Sequence, residues 1–193
     1  MTHLTDNKEY SPNAIATMNV YEVNSIEELQ PLANVWQELL SQTPRASFFQ
    51  SLPWLKAYWN HFGADQYLRT LVVESNQEVV GIVPLVRKRE KTKVGALDFL
   101  TYPMDHWGSF YGPLGKNPNE VLSAGVDYLR HKGLAADVLE LRWVGEEDGE
   151  HEQHQQILSS AGFTPQSSRL DSTGVISLPS TWEEYLASRS GKW

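Results

Sequence analysis

Apolar positions recur along this chain at two spacings, one of two residues and one of three to four, and the alternation between them predicts where strands give way to helices. Asn19-Val20-Tyr21-Glu22-Val23 alternates as a short strand, so order is expected from about Met18. Ser25-Ile26-Glu27-Glu28 then has the form of a capping box, in which the serine hydroxyl takes the Glu28 amide and the carboxylate reaches back. The helix it opens carries Leu29, Leu32, Val35, Trp36, Leu39 and Leu40 on one stripe, which predicts packing of its long side onto the core. A second helix is expected after Ser51 as cap, with Pro53 in the first turn, where its missing amide costs nothing, and Gly63 as a left-handed stop. Trp54, Tyr58 and Phe62 recur every four residues, and Leu55 and Trp59 widen that face. Such an aromatic stripe reads as core before it reads as a ligand box.

The period then shortens to two. Tyr67 to Glu74 and Glu78 to Arg87 are β-rich runs joined by the short polar turn Ser75-Asn76-Gln77, the pattern of an antiparallel hairpin. Pro84 has no amide to donate, so it either faces away from a partner strand or marks a bulge. Val94 to Leu100 predicts a further strand, followed by the segment from Thr101 to Gly115, too rich in glycine, proline and aromatic residues for a regular element and too hydrophobic for an ordinary exposed loop. Segments of that kind line pockets. Asn117-Pro118-Asn119-Glu120 caps a helix whose buried face is Val121, Leu122, Val126 and Leu129 and whose stop is Gly133. Val138 to Val144 reads as a strand, residues 145–149 as an acidic turn, His151 to Ala161 as a helix stopped by Gly162, Phe163 to Leu178 as one or two strands, and Ser180-Thr181-Trp182-Glu183 as the cap of a last helix reaching about Ser188. Helices alternating with strands, plus one hairpin, predict an α/β or α+β fold with a mixed sheet. No repeat or linker divides the chain, so residues 18–193 are expected to form one domain and residues 1–17 a disordered, polar lead.

Composition narrows the function. A chain of 193 residues buries roughly 70% of its unfolded surface, and 40% hydrophobic with 21% charged residues is a globular profile. The net charge of -8 argues against a nucleic-acid surface, since the one basic run, Arg87-Lys88-Arg89-Glu90-Lys91-Thr92-Lys93, reads as a solvated hairpin end. Absence of cysteine removes disulfides, thiolate zinc ligands and thiol nucleophiles, and fits a cytoplasmic protein. No stretch reaches the ~18 apolar residues of a membrane span, and the polar first residues lack a signal-peptide core.

Three short motifs invite chemistry. Arg130-His131-Lys132-Gly133-Leu134-Ala135 matches a diphosphate-binding pattern, but that function requires a loop that leaves a strand and opens a helix, whereas here the basic residues end a helix and Gly133 stops it. No other stretch reads as such a junction. His151-Glu152-Gln153-His154 sets two imidazoles three residues apart without a third ligand, which reads as surface histidines and predicts no metal site. Asp105, His106 and Ser109 lack the glycine-flanked turn of a nucleophilic serine. Asp105, His106, Trp107 and Tyr111 read better as substrate contacts, since they combine ring surfaces with hydrogen-bonding tips.

Phe48-Phe49-Gln50-Ser51 with Trp54 and Trp59, then Val80-Gly81-Ile82-Val83-Pro84-Leu85, then Tyr111-Gly112-Pro113-Leu114, resembles the amino-terminal half of the CelD-like or BioF2-like acyltransferases, GNAT-superfamily proteins related to the Fem-type aminoacyltransferases. The resemblance runs from about Val20 to the end of the chain and rests on packing motifs. It implies a GNAT-like, largely antiparallel mixed sheet flanked by helices. It also implies acyl transfer from acyl-CoA, a co-substrate rather than a covalently held cofactor, to a small-molecule amine or amino sugar. In that family the segment resembling residues 182–193 is followed by a second, acyl-binding half, so this chain is expected to supply the acceptor side and to work with a C-terminal half or a second copy of itself. Gln50, Asp105, Trp107, Tyr111 and Arg142 are then the expected acceptor contacts, with no residue identified for the oxyanion or the proton. A noncatalytic GNAT-like scaffold or interaction module is the competing expectation.

Overall fold

In the computed structural model, which describes residues 18–104, 111–144, 149–169 and 178–189, one antiparallel hairpin runs through the centre of the protein and belongs to two sheets. Its first arm is β2 (Gln66–Leu68) and β3 (Thr70–Ser75), and its second is β4 (Glu78–Val83) and β5 (Val86–Thr92). Asn76 and Gln77 close it with φ of 51° and 68°, the left-handed pair that a two-residue hairpin turn requires. β3 pairs with β4 and β2 with β5, and the ladder breaks between them at Pro84, which has no N–H to give. The amide of Arg69 still reaches the Leu85 carbonyl at 2.9 Å, so the arms stay joined while the strand direction is free to change.

Each half of the hairpin recruits its own neighbours. β1 (Met18–Val23) pairs antiparallel with β3, giving the order β1-β3-β4. β6 (Gly95–Thr101) pairs antiparallel with β5 and β7 (Val138–Glu140) pairs parallel with β6, giving β2-β5-β6-β7. The result is the expected mixed α/β fold with largely antiparallel sheets flanked by helices. Alternation sorts the side chains: Val72, Ile82, Leu68 and Val86 join the cluster under the amino-terminal helices, while Leu71, Val73, Val83 and Leu100 join the cluster on the opposite face. Burial on both faces explains why β3 reads as an unbroken apolar run rather than an alternating one.

The first face is covered by α1 (Ile26–Leu29), a 3₁₀ turn at Gln30–Leu32, α2 (Ala33–Gln42) and α3 (Leu52–Phe62). The single stripe expected for Leu29 to Leu40 is thus interrupted, because Pro31 denies the turn an amide. Ser25 Oγ accepts from the Glu28 amide at 3.2 Å, and the Glu28 carboxylate accepts from Asn24 rather than from Ser25 itself. Ser51 Oγ likewise accepts from the Trp54 amide at 3.3 Å. Gly63 is no left-handed stop: its φ is −72°, and it leads into one 3₁₀ turn. Glycine is needed there for closeness, since a Cβ would stand 2.7 Å from the Trp59 ring. The aromatic stripe of α3 also divides, Tyr58, Trp59 and Phe62 facing the first cluster and Trp54 the second.

The other face is covered by α4 (Pro118–Lys132), which lies across β1, β3 and β4, with α5 (Glu150–Ser160) packed on α4. The last helix, α6 (Trp182–Ala187), is capped by Thr181, whose hydroxyl accepts from the Glu184 amide at 3.2 Å. Two strand expectations change. The run from Val138 is extended only to Glu140, and Trp143 turns to φ 63°, which no strand accommodates. Residues 163–169 hold no strand, and residues 170–177 lie outside the described residues.

Arg69, at the hairpin break, ties the layers together. Its guanidinium pairs twice with Glu22 of β1, Nη2 to Oε1 at 2.5 Å and Nε to Oε2 at 3.1 Å, and Nη1 donates to the Leu134 carbonyl just beyond α4. The side chain is only 11% exposed. Replacing Glu22 by Ala leaves that cation enclosed without its carboxylate, and urea unfolding is expected to show a loss of about 3 kcal/mol. Gly81 marks the closest approach of sheet and helix, a Cβ there falling 2.2 Å from a Val121 methyl. Gly81→Ala is expected to cost about 1–3 kcal/mol, and a Gly81→Ala/Val121→Ala double variant to recover most of it in the same measurement.

Candidate functional site

β6 hands over to α4 through residues 102–117, and the two described ends of that connection form the stem of the candidate site. Tyr102 and Tyr111 face each other across the stem, ring centroids 5.0 Å apart and inclined by 32°. Both are buried, and neither hydroxyl has a hydrogen-bond partner among the described residues. Burial pushes both phenols well above their ordinary range; the Glu150 carboxylate adds to this at Tyr102, and Tyr102 and then Tyr58 add to it at Tyr111. Trp54 stands in the same apolar cluster, its indole N–H also enclosed and without a partner among the described residues. Phe49 stacks edge-on against that indole at 4.9 Å and Phe48 at 5.9 Å.

The carboxyl-terminal end of the connection is fastened down. Leu114 bridges Ile82 through two backbone bonds, N–H to carbonyl at 2.8 and 3.0 Å, which places it beside β4 where β6 has departed. The Gly115 amide donates to Thr43 Oγ1 at 2.9 Å, and that hydroxyl donates to the Leu39 carbonyl at 2.7 Å. Gln50, buried in the 3₁₀ turn before α3, ties the same segment to the helices. Its Nε2 donates to the Gly112 carbonyl at 3.2 Å, its Oε1 accepts from the Ser47 amide at 2.8 Å, and its own carbonyl accepts from Trp36 Nε1 at 2.9 Å.

Of the five expected acceptor contacts, the structure therefore brings Gln50 and Tyr111 together, one holding the backbone next to the other. Arg142 is held elsewhere: Nε donates to Glu140 at 2.6 Å and Nη2 reaches Glu90 at 3.5 Å, while Lys88 pairs with Glu90 at 2.6 Å. Burial alone would raise the Glu90 carboxyl, but the Lys88 ammonium and the Arg142 guanidinium outweigh it and hold the group below the usual range. Asp105 and Trp107, with His106 and Ser109, lie outside the described residues. Tyr102 and the indole N–H of Trp54 were not singled out in the sequence. The only signal for Tyr102 was its position in the aromatic segment after β6, and nothing marked Trp54 as other than core.

The Arg130–Ala135 motif is structural. It ends α4 with Gly133 at φ 100°, and the Leu134 and Ala135 carbonyls accept from Arg69 and Arg87. A helix carboxyl end presents carbonyls and a negative dipole, the wrong pole for a diphosphate. Residues 102–117 join β6 to α4, with 105–110 outside the described residues; at the α4 end Asn117 caps no amide with its side chain and Pro118 occupies the first turn. Lys116 is exposed beside it. Among the described residues no cluster of three or more His, Asp or Glu side chains is arranged to hold a metal, and no helix is long and apolar enough to cross a membrane.

A shallow cleft of about 410 Å3 opens on the other side of the hairpin break, lined among others by Trp59, Tyr67, Arg69 and Arg87. Its polar groups serve the fold: Arg69 is paired with Glu22, and Arg87 lies 4.2 Å from the Tyr67 ring centre while donating to Ala135 at 3.2 Å.

No protein-family model and no curated protein matches the chain. Among solved structures, a transcriptional regulator from Bacillus halodurans C-125 is similar at 10% identity and a TM-score of 0.46, over 82% of this chain and 100% of that one. An aminoglycoside acetyltransferase from an uncultured soil metagenomic sample, solved with sisomicin, aligns at 10% identity and TM-score 0.42, over 83% and 97% of the two chains. An aminoglycoside N-acetyltransferase solved with CoA aligns at 11% and 0.41, over 85% and 99%. Each is a distant likeness.

The two histidines of α5 separate. His154 is partly buried: its Nδ1 is enclosed without a partner among the described residues, and burial, then the neighbouring His151, lowers its pKa from 6.5 to about 4. The folded protein thus resists protonating this ring, so its contribution is complete above about pH 6.5 and lost as pH falls from 6.5 toward 4. The effect is about 3 kcal/mol at most. In His154→Gln the fall in unfolding midpoint between pH 7 and pH 4.5 is expected to be smaller than in the parent.

Proposed function

We propose that this chain serves acyl transfer from an acyl-CoA thioester to a small-molecule amine or amino sugar, as the acceptor side of a GNAT-type, CelD-like or BioF2-like N-acyltransferase. The observation that carries the reading is the parallel pairing of β6 with β7 in sheets whose other pairs are antiparallel. A parallel pair requires a crossover, and here the crossover is an irregular connection followed by α4, whose first turn has no side-chain cap. The order of motifs in the sequence supports the same reading.

The residues present suit a diphosphate better at the start of α4 than at its end. At the start, Lys116 supplies a cation and the first turn lacks a side-chain cap. At the end, both carbonyls beyond Gly133 are already bound to arginines of the hairpin. Acyl transfer further needs donors for the developing oxyanion and a route for the amine proton. Tyr111 and Arg142, with Asp105 and Trp107, are the proposed acceptor contacts, and Gln50 acts by positioning the Gly112 backbone beside Tyr111. The chain would act in the cytoplasm, with a carboxyl-terminal half or a second copy completing the site.

A noncatalytic GNAT-like scaffold is the second reading, favoured by one observation: the amide of Gln50 and the guanidinium of Arg142 are already bound within the chain. Thiol release from acetyl-CoA and longer acyl-CoAs, with glucosamine as acceptor, separates the two. The chain has no cysteine, so the assay has no protein background. Saturable release, with Lys116→Glu weakening acetyl-CoA binding about tenfold by calorimetry, is expected. A folded protein giving neither heat with acyl-CoA nor thiol release supports the scaffold instead.

A further inference from the structure

The cleft beside the hairpin break follows the free edge of β2, and the fold leaves one cation in its wall without a counter-ion. β2 is the outer strand of its sheet, and the four residues from Gln66 to Arg69 line the cleft together with Trp59 and Arg87. Glu22, also in the wall, neutralises Arg69, so the charge of Arg87 remains. Arg87 stands opposite Tyr67 in the β2–β5 ladder, which puts both side chains on one face and the guanidinium 4.2 Å from the ring centre. Contact through the flat face leaves the N–H edge of the fork open. One bond is made there, to the Ala135 carbonyl at 3.2 Å, and among the described residues no carboxylate pairs with this side chain. On the same strand Lys88 has Glu90 and Arg89 has Asp98. Lys91 and Lys93 differ from Arg87 in being exposed near the turn into β6, away from any cleft wall.

We propose that this cleft binds an aromatic carboxylate, a planar monoanion whose carboxylate takes the open N–H edge of Arg87 and whose ring lies against Trp59 and Tyr67. The ring surfaces are in place for it. Tyr67 is 62% exposed, and Trp59 is held by Gly63, where a Cβ would stand 2.7 Å from the indole. A guanidinium fork matches a carboxylate in two parallel bonds, and the face it shares with Tyr67 keeps it aimed. One uncompensated positive charge beside the Glu22 carboxylate suits a single negative charge better than the two of a phosphate monoester. The volume of about 410 Å3 falls within the ~300–1,000 Å3 of small-molecule sites. A peptide adding as a further strand fits less well, because β2 has three residues and the Gln66 amide is already bonded to the Gly63 carbonyl. Arg87, Tyr67 and Trp59 are contacts to the ligand rather than groups that react, and the inference does not rest on the acyl-transfer reading.

Calorimetric titration of the whole chain with naphthoate tests this, with neutral naphthamide, acetate and naphthyl phosphate as comparison ligands. Naphthoate is expected to bind, naphthamide to bind about tenfold more weakly for want of the charge, acetate more weakly still for want of the ring, and naphthyl phosphate no more tightly than naphthoate. Arg87→Gln is expected to lose about tenfold in naphthoate affinity and Arg87→Lys, which keeps the charge without the fork, to lose less. Arg89→Gln, on the same strand but paired with Asp98, serves as reference and is expected to bind as the parent does. Thermal unfolding checks that each variant is folded. Tyr67→Ala removes a largely exposed ring, so its expected loss of about threefold tests the site even if Arg87→Gln does not fold. Absence of naphthoate binding by the parent, equal binding of naphthamide or acetate, tighter binding of the phosphate ester, or the same loss in Arg89→Gln as in Arg87→Gln would each overturn the proposal. Thiol release from acyl-CoA reports on acyl transfer separately, so either reading can fail while the other stands.

Discussion

A single buried guanidinium holds the architecture in register. Arg69 sits where the central hairpin changes sheet, its backbone bonded across to Leu85 and its side chain shared between Glu22 of β1 and the carbonyl of Leu134 beyond α4. Enclosing a cation is tolerable only when its donors are used, and here they bind two segments distant in sequence. The geometry that satisfies the arginine is also the geometry that fixes β1, the hairpin and the exit of α4 relative to one another. The Arg130–Ala135 motif is absorbed into that arrangement, which is why its basic residues and glycine serve a helix end rather than an anion.

Because the ladder breaks at Pro84, β4 and β5 keep different company. β5 continues into β6 and, through α4, into the parallel β7. β4, deprived of β6, takes a single bridge from Leu114 instead. The connection between β6 and α4 has to cross that gap, and it is pinned on the way by Gln50, Thr43 and Ile82. The same divergence that interrupts the sheet therefore gathers Tyr102, Tyr111 and Trp54 into one cluster. Packing supplies the rigidity of that cluster.

Charge is distributed in keeping with this. The basic hairpin end is partly paired within the sheet, Lys88 with Glu90 and Arg89 with Asp98, while Arg87 rests on the Tyr67 ring and a carbonyl and Lys91 and Lys93 are exposed. The net charge of -8 alone argues against a nucleic-acid surface. At the stem, the Glu150 carboxylate acts on the buried Tyr102 phenol.

Much of the fold was legible because local physics decides it. Ser25, Ser51 and Thr181 cap helices by the offset of their hydroxyls, the period-two runs around Asn76-Gln77 make a hairpin, and Pro84 interrupts it. These depend on neighbours within a few residues, and the sequence by itself determined them. It did not determine that Gly63 serves a tryptophan ring rather than a left-handed turn, that Trp54 leaves the stripe of its own helix for the opposite cluster, or that Arg142 is bound by two glutamates. Nor did it show that Gln50 holds Gly112, or that two phenols meet in the interior with nothing to bond among the described residues. Some of those outcomes join near neighbours and others residues as far apart as Gln50 and Gly112, and only the tertiary structure decided them, because burial and hydrogen-bond satisfaction are properties of what surrounds a group and not of its place in the chain.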